Sequence, residues 1–262
     1  MDWIVKPVYE VARRRSHRPY NVAMNPAERL HLLVLAAGTG SRAGTTQPKQ
    51  YQILAGQALV VHTLLALSQV SVVDTLNVVV SPDDESMAPL LQSNPALQGV
   101  RICPVGGETR ALSVSGGLQA LRAQGAQDQD WVLVHDAARC LIQSDWVMAL
   151  VHACRADAVG GLLAVPLPDT LKVANPEGRV QATLERGAKW LAQTPQMFRL
   201  GMLERGLKQS GTAVTDEASA MESLGLQPKL VVGHAMNIKV TYPEDFLLAR
   251  WVLLARQQEG HG

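Results

Sequence analysis

From Leu30 onward, short aliphatic runs alternate with longer stretches in which apolar positions recur every three or four residues. The short runs read as strands and the longer stretches as amphipathic helices. The pattern predicts strands at Leu32–Ala36, Leu76–Val80, Arg101–Val105, Trp131–Val134, Gly161–Pro166 and Lys229–Val232, and helices at Leu59–Leu67, Thr109–Arg122 and Asp145–Ala156. Strands separated by helices make crossover units, so the expected fold is one doubly wound α/β domain with a mostly parallel sheet. Thr215, followed by Asp216 and Glu217 and later by Gly225, predicts a capped helix with an acidic first turn and a glycine stop. Thr241 and Glu244 predict a capping box that opens a closing helix to about Leu254.

One segment breaks the alternation. Asp169 to Gly187 is polar, and its turn signal Asn175-Pro176-Glu177-Gly178 lies between strand-like flanks Thr170–Val173 and Val180–Leu184. This predicts a projecting β-hairpin arm at about residues 168–187. A lone two-stranded hairpin is marginal in water, so the expectation is a homodimer in which each subunit covers the other's arm.

Composition narrows the function classes. The 262 residues are 47% hydrophobic and 18% charged, which suits a chain that buries a sizeable core. With 24 basic and 23 acidic residues the formal net charge is +1, so bulk charge points to neither nucleic acid nor a membrane as partner. No apolar run approaches the roughly 18 residues of a spanning helix. Cys103, Cys140 and Cys154 fall in no metal-ligand or CxxC spacing, which fits a reducing, cytoplasmic setting. Met1 to Arg29, with Arg13, Arg14, Arg15 and Arg18 clustered, reads as a poorly ordered, solvated extension (residues 1–29) ahead of a domain at 30–258.

Candidate chemistry begins where the first strand ends. Ala36-Ala37-Gly38-Thr39-Gly40-Ser41-Arg42 is followed by Gln47-Pro48-Lys49-Gln50. Small residues at the carboxyl end of such a strand let main-chain N–H groups approach a phosphate. The spacing is neither the dinucleotide fingerprint nor the P-loop. Arg42 and Lys49 lie close enough in sequence to serve the same anion, although a tight turn flanked by solvated side chains has the same spacing. Asp136 directly after a strand suits a magnesium ion or a ribose hydroxyl, or equally a helix N-cap. His135 should point to the opposite face and be packed. Lys239, in a strand-like Asn-Ile-Lys-Val-Thr run, sits opposite Ile238 and Val240 and either meets an anion or faces solvent.

Leu35-Ala36-Ala37-Gly38-x-Gly40-x-Arg42 resembles the signature loop of nucleotidyltransferases that join a nucleoside triphosphate to a sugar or polyol phosphate. With Pro48-Lys49-Gln50-Tyr51 it is most similar to the 2-C-methyl-D-erythritol 4-phosphate cytidylyltransferases of the non-mevalonate isoprenoid pathway. The resemblance recurs in Gly106-Gly107-x-x-Arg110-x-x-Ser113-Val114, Val134-His135-Asp136-Ala137-Ala138-Arg139, Asp169-Thr170-x-Lys172, Thr194-Pro195-Gln196, Thr215-Asp216-Glu217-Ala218 and Asn237-Ile238-Lys239-Val240-Thr241, spanning about Leu32 to Leu254. It implies a Rossmann-like sheet of the nucleotide-diphospho-sugar transferase type and a reaction between CTP and a polyol phosphate with Mg2+. It further implies catalytic roles for Arg42, Lys49 and Lys239, and nucleotide contacts from Ala36, Ala37, Gly38, Gly40, Gly107, Ser113 and Asp136. On the acceptor side it implies Asp136, Arg139, Thr194 and Thr215, together with Thr170 and Arg186 from the neighbouring subunit. Three positions depart from the family pattern: Cys140 stands where proline is usual, Glu185 where aspartate is usual, and Glu108-Thr109 alters the order before Arg110. A ribitol 5-phosphate cytidylyltransferase and a non-catalytic nucleotide-binding module are the competing readings.

Overall fold

The computed structural model describes residues 28–38, 48–211 and 214–260. Most of the expected 1–29 extension, and Gly40 and Arg42 of the glycine loop, lie outside the described residues. In chain order the strands are β1 (Leu30–Leu35), β2 (Ile53–Leu54), β3 (Gln57–Ala58), β4 (Thr75–Val79), β5 (Arg101–Cys103), β6 (Trp131–Asp136), β7 (Gly160–Pro166), β8 (Leu171–Ala174), β9 (Val180–Leu184), β10 (Trp190–Arg199) and β11 (Lys229–Val232). The helices are α1 (Leu59–Ser68), α2 (Met87–Gln92), α3 (Arg110–Ala123), α4 (Ser144–Cys154), α5 (Leu200–Ser210), α6 (Glu217–Ser223) and α7 (Pro243–Gln258). None of them is long and apolar enough to cross a membrane.

Strand β1 alternates its side chains between two apolar layers. Leu32 and Val34 join Val61 and Leu64 of α1 and Val147 and Val151 of α4. Leu33 joins Val114 and Leu118 of α3 and Leu203 of α5 on the other face. Each such side chain contributes about 1.5–3 kcal/mol on burial, more than a typical net backbone hydrogen bond, so burial on both faces sets the register. The seven-stranded sheet runs β11-β7-β10-β6-β1-β4-β5. Strands β4 and β6 flank β1 in parallel, whereas β10 lies antiparallel to both β6 and β7.

All six predicted strands form, and β2, β3, β10, α2 and α5 are additions. The sequence of β10 hides it: Gln193, Thr194, Pro195 and Gln196 interrupt an apolar run, yet all four are buried. Their polar groups are satisfied by distant partners. Gln196 accepts from the Ala218 N–H at 2.8 Å and donates to Asp216 Oδ2 at 2.9 Å. A register shift between Ala192 and Gln196 interrupts the ladder with β7, which resumes with Gln196 opposite Leu162.

Three local expectations are corrected. The segment around Lys239 is not part of a strand; the Val240 N–H donates to the Ala138 carbonyl at 2.8 Å, and Val240 packs with Leu54, Leu141 and Leu253. Asp216, not Thr215, caps α6, with Asp216 Oδ1 accepting from the Ser219 N–H and Ser219 Oγ accepting from the Asp216 N–H. Helix α7 starts at Pro243, and Asp245 rather than Glu244 accepts from the Thr241 and Tyr242 N–H groups, each at 2.8 Å.

The arm is an antiparallel β8–β9 ribbon. Gly178, at φ +75°, and the Asn175 side chain, which accepts from the Arg179 N–H, close its turn. Leu171, Val180 and Leu184 on it are exposed, Val180 at 65%.

Gly160 opens β7 at φ +107°, and a Cβ there would lie 2.2 Å from the Met197 carbonyl oxygen of β10. Gly160→Ala should therefore lower the unfolding free energy by at least about 2 kcal/mol in denaturant titration, from backbone strain and the displaced β10 together.

Candidate active site

The carboxyl ends of β1, β4 and β6 open into a cavity of about 560 Å³. This is the crevice where α/β sheets of this kind place their ligands. Its floor is main chain held by side chains. Gln50, 5% exposed on the 3-10 turn Lys49–Tyr51, donates to the Ala36 carbonyl at 2.7 Å, so the residue after Lys49 clamps the start of the glycine loop. A Cβ on Gly106 would sit 2.2 Å from the Ala37 Cβ, so only glycine lets these two loops touch. Ser113, in the first turn of α3, accepts from the Gly107 N–H at 3.1 Å and lies 3.2 Å from the Gly107 carbonyl and 3.0 Å from that of Thr109. It organises the loop that is expected to read a base.

Asp136 ends β6 and is 8% exposed. Its Oδ1 accepts from Arg110 Nε at 3.0 Å, its Oδ2 from Lys239 Nζ at 2.8 Å, and its own N–H donates to Thr194 Oγ1 at 3.1 Å. Burial alone would favour the neutral acid. The charges of Arg110 and Lys239 outweigh it and hold the carboxyl far below the usual range. The N-cap alternative does not apply, since Asp136 lies within the strand.

Lys49 lines the same cavity and donates to the Val240 carbonyl at 2.9 Å, across 191 positions of sequence. Lys49 and Lys239 are thus brought to one wall, and Ala36, Ala37, Gly38, Gly107, Ser113 and Asp136 share the cavity with them. Gly40 and Arg42 lie outside the described residues.

The expected acceptor residues other than Asp136 do not line it. Arg139 is turned into the protein, donating to the carbonyls of Asn237 at 2.6 Å and Ala192 at 3.3 Å. Thr194 sits behind Asp136. Thr215 is exposed just ahead of α6. Thr170 and Arg186 are exposed on the arm, Arg186 donating to the Pro168 carbonyl at 2.6 Å. Cys140 is 2% exposed, and burial pushes its thiol up to about 12, so it is a packing residue.

Arg110 and Glu217 emerge only here. Glu217 is fully buried and takes both terminal nitrogens of Arg110, Nη1 to Oε1 at 2.5 Å and Nη2 to Oε2 at 3.0 Å. Burial pulls the guanidinium down, but Glu217 and Asp136 together hold it above its ordinary value. Burial pushes the Glu217 carboxyl up, against the pull of Arg110. Both residues belong to motifs visible in sequence, yet Glu217 at a helix start reads there as a partner for the helix dipole.

A sheet that delivers main-chain amides, Lys49, Lys239 and the ionised carboxylate of Asp136 to a single crevice at its carboxyl edge defines an enzyme of the nucleotidyltransferase class. Residues 30–255 match the family model described as "IspD: 2-C-methyl-D-erythritol 4-phosphate cytidylyltransferase", and the chain belongs to that family. A 2-C-methyl-D-erythritol 4-phosphate cytidylyltransferase of Chromobacterium violaceum is 51% identical over 227 residues, covering 86% of this chain and 98% of that one. A bifunctional enzyme IspD/IspF of Albidiferax ferrireducens is 58% identical over 226 residues; the match covers 86% of this chain but 53% of that enzyme, so the chain spans about half its length. A crystal structure of 4-diphosphocytidyl-2C-methyl-D-erythritol synthase superposes with a TM-score of 0.77 at 38% identity, covering 86% of this chain and 99% of the other.

His135, between these elements, is 0% exposed, with Nδ1 3.0 Å from Thr194 Oγ1 and Nε2 3.4 Å from the Arg139 carbonyl. The neutral Nε2–H tautomer satisfies both contacts, and burial pushes its pKa down to about 4. The unfolded chain takes up this proton near pH 6.5 and the folded chain only near pH 4. His135 therefore contributes stability that is fully present above pH 6.5 and falls by about 3 kcal/mol on acidification to pH 4. Denaturant titrations across that window should show a shallower fall for His135→Gln than for the native sequence.

Proposed function

We propose that this chain transfers the cytidylyl group of CTP to the 4-phosphate of 2-C-methyl-D-erythritol, giving 4-diphosphocytidyl-2-C-methyl-D-erythritol and pyrophosphate in isoprenoid precursor synthesis. The observation that carries this reading is the meeting of Lys49 and the Lys239–Val240 segment on one wall of a cavity floored by main chain. An oxygen of the acceptor phosphate attacks the α-phosphorus in line as the bond from that phosphorus to the bridging oxygen breaks, and pyrophosphate leaves. A phosphate monoester is already anionic near pH 7, so no protein nucleophile and no strong base are needed. Rate comes from alignment and from cations fixed where oxygen charge crowds. Lys49 and Lys239 supply those charges, and the reading adds Arg42 to them. The Gly106-Gly107 loop, braced by Ser113, offers fixed main-chain donors and acceptors to the cytosine edge.

The donor set fits magnesium. Among the described residues no three His, Cys, Asp or Glu side chains cluster as a metal cage. Magnesium is usually held by one or two carboxylates plus substrate phosphates, and each Asp136 oxygen, engaged by one cation, keeps a further lone pair. Asp136 would hold the ion together with the triphosphate, where it neutralises phosphate oxygens.

The acceptor side of the site is incomplete within one chain. Thr170 and Arg186 stand on an arm whose Leu171, Val180 and Leu184 are left exposed by the described residues. The reading therefore includes a homodimer in which each arm completes the other subunit's site.

Pyrophosphate release with CTP should be supported by 2-C-methyl-D-erythritol 4-phosphate and not by ribitol 5-phosphate; the reverse preference would replace the substrate assignment. Lys49→Ala and Lys239→Ala should each reduce kcat about a hundredfold, equivalent to ~3 kcal/mol of transition-state stabilisation. Near-native turnover of Lys49→Ala with CTP binding intact would remove the cationic mechanism.

Arm exchange has its own test. Lys239→Ala and Arg186→Ala proteins, each feeble alone, should on mixing regain about a quarter of native activity, because random twofold reassembly gives half heterodimers with one intact site each. No recovery under exchanging conditions would return the arm to its own chain.

A further inference from the structure

The cavity wall contains an arginine claimed by two carboxylates. Arg110 offers a planar fork of N–H donors, and such a fork binds a carboxylate best through two parallel contacts. That paired edge goes to Glu217, leaving the single Nε to Asp136 Oδ1. Asp136 Oδ2 is thereby left to Lys239 Nζ at 2.8 Å. Glu217 does not line the cavity, and its side chain is 0% exposed. A buried ion pair is seldom kept for stability alone, since apolar residues of similar volume commonly stabilise a core as well or better.

The backbone around Glu217 is gripped on both sides. Gln196 of β10 donates to the Asp216 side chain and accepts from the Ala218 N–H, while Asp216 and Ser219 cap the helix reciprocally. Glu217 is thus delivered to Arg110 by a segment that has little freedom to move. In its absence the guanidinium would be free to turn its paired edge to both oxygens of Asp136, and Lys239 would lose its anchor.

We infer that Glu217 is a positioning residue for cytidylyl transfer: by occupying both terminal nitrogens of Arg110 it restricts that arginine to one oxygen of Asp136 and reserves the other for Lys239. The inference rests on the transfer reading above. It assigns Glu217 an action on kcat through Arg110, with no contact to either substrate.

The test begins with the native protein, CTP and 2-C-methyl-D-erythritol 4-phosphate. Absence of pyrophosphate release there would overturn the transfer reading itself. Given turnover, Glu217→Gln, which keeps the shape and removes the charge, should lower kcat at least tenfold while the CTP dissociation constant from calorimetry stays within about threefold. The same substitution in an Arg110→Lys background, where the fork is gone, should change kcat by less than about twofold, since residues acting through one partner are non-additive. Native kcat in Glu217→Gln, or losses that simply multiply in the double variant, would overturn the proposal. Should Glu217→Gln fail to give a cooperative melt, Glu217→Asp decides: it retains the charge but is one methylene short of the fork, and native kcat in that variant is fatal to the idea. If neither variant folds, Glu217 serves stability and the proposal falls.

Discussion

A carboxylate shielded from water stays ionised only where cations are brought to it, and the organisation of this site follows from that requirement at Asp136. Its neighbours Arg110 and Lys239 come from the start of α3 and from the loop ahead of α7. Their combined field outweighs the cost of burial and keeps the group charged. The dependence is mutual, because a lysine held at 2.8 Å from a fixed anion keeps one orientation instead of sampling many. Asp136 is therefore as much an anchor for a cation as a ligand for anything bound.

The sheet is built to present that anchor. Strands β1 and β6, buried on both faces, end side by side with Leu35 paired to Asp136. Antiparallel β10 then runs along the other edge of β6, where its Thr194 accepts from the Asp136 N–H and its Gln196 holds the start of α6. A run of buried polar residues in a central strand would be destabilising in isolation. It is tolerated here because its side chains meet main-chain or polar partners, and those partners are the segments that carry Glu217 and Lys239. Asn237, two residues before Lys239, is fully buried and donates to the Thr194 carbonyl at 2.9 Å. One strand thereby gathers pieces from three separate parts of the chain.

The arm follows a different logic. Its two strands pair only with each other, and among the described residues Leu171, Val180 and Leu184 on it stay exposed. Thr170 and Arg186 on it are exposed and do not line the cavity, whereas Ala36, Ala37, Gly38, Gly107, Ser113 and Asp136 all line it.

Much of this architecture was legible in the residues alone. Aliphatic runs at the right intervals specify the six strands they predict, since period and burial are local properties of the chain; Ala36-Ala37-Gly38 and Asp136 stand out as residues at strand ends, and Lys49 as a cation shortly after the glycine loop. Strand β10 was not legible, because Gln193, Thr194 and Gln196 look like loop until the partners that bury them are known. Arg110 and Glu217 were visible as letters in motifs, but which acid the arginine's fork would choose, and that Arg139 would turn inward, depend on contacts between residues about a hundred positions apart. Sequence determines what each stretch of chain can form and which groups it carries; only the packed sheet decides which charges share a wall, because distance and burial are properties of the whole fold.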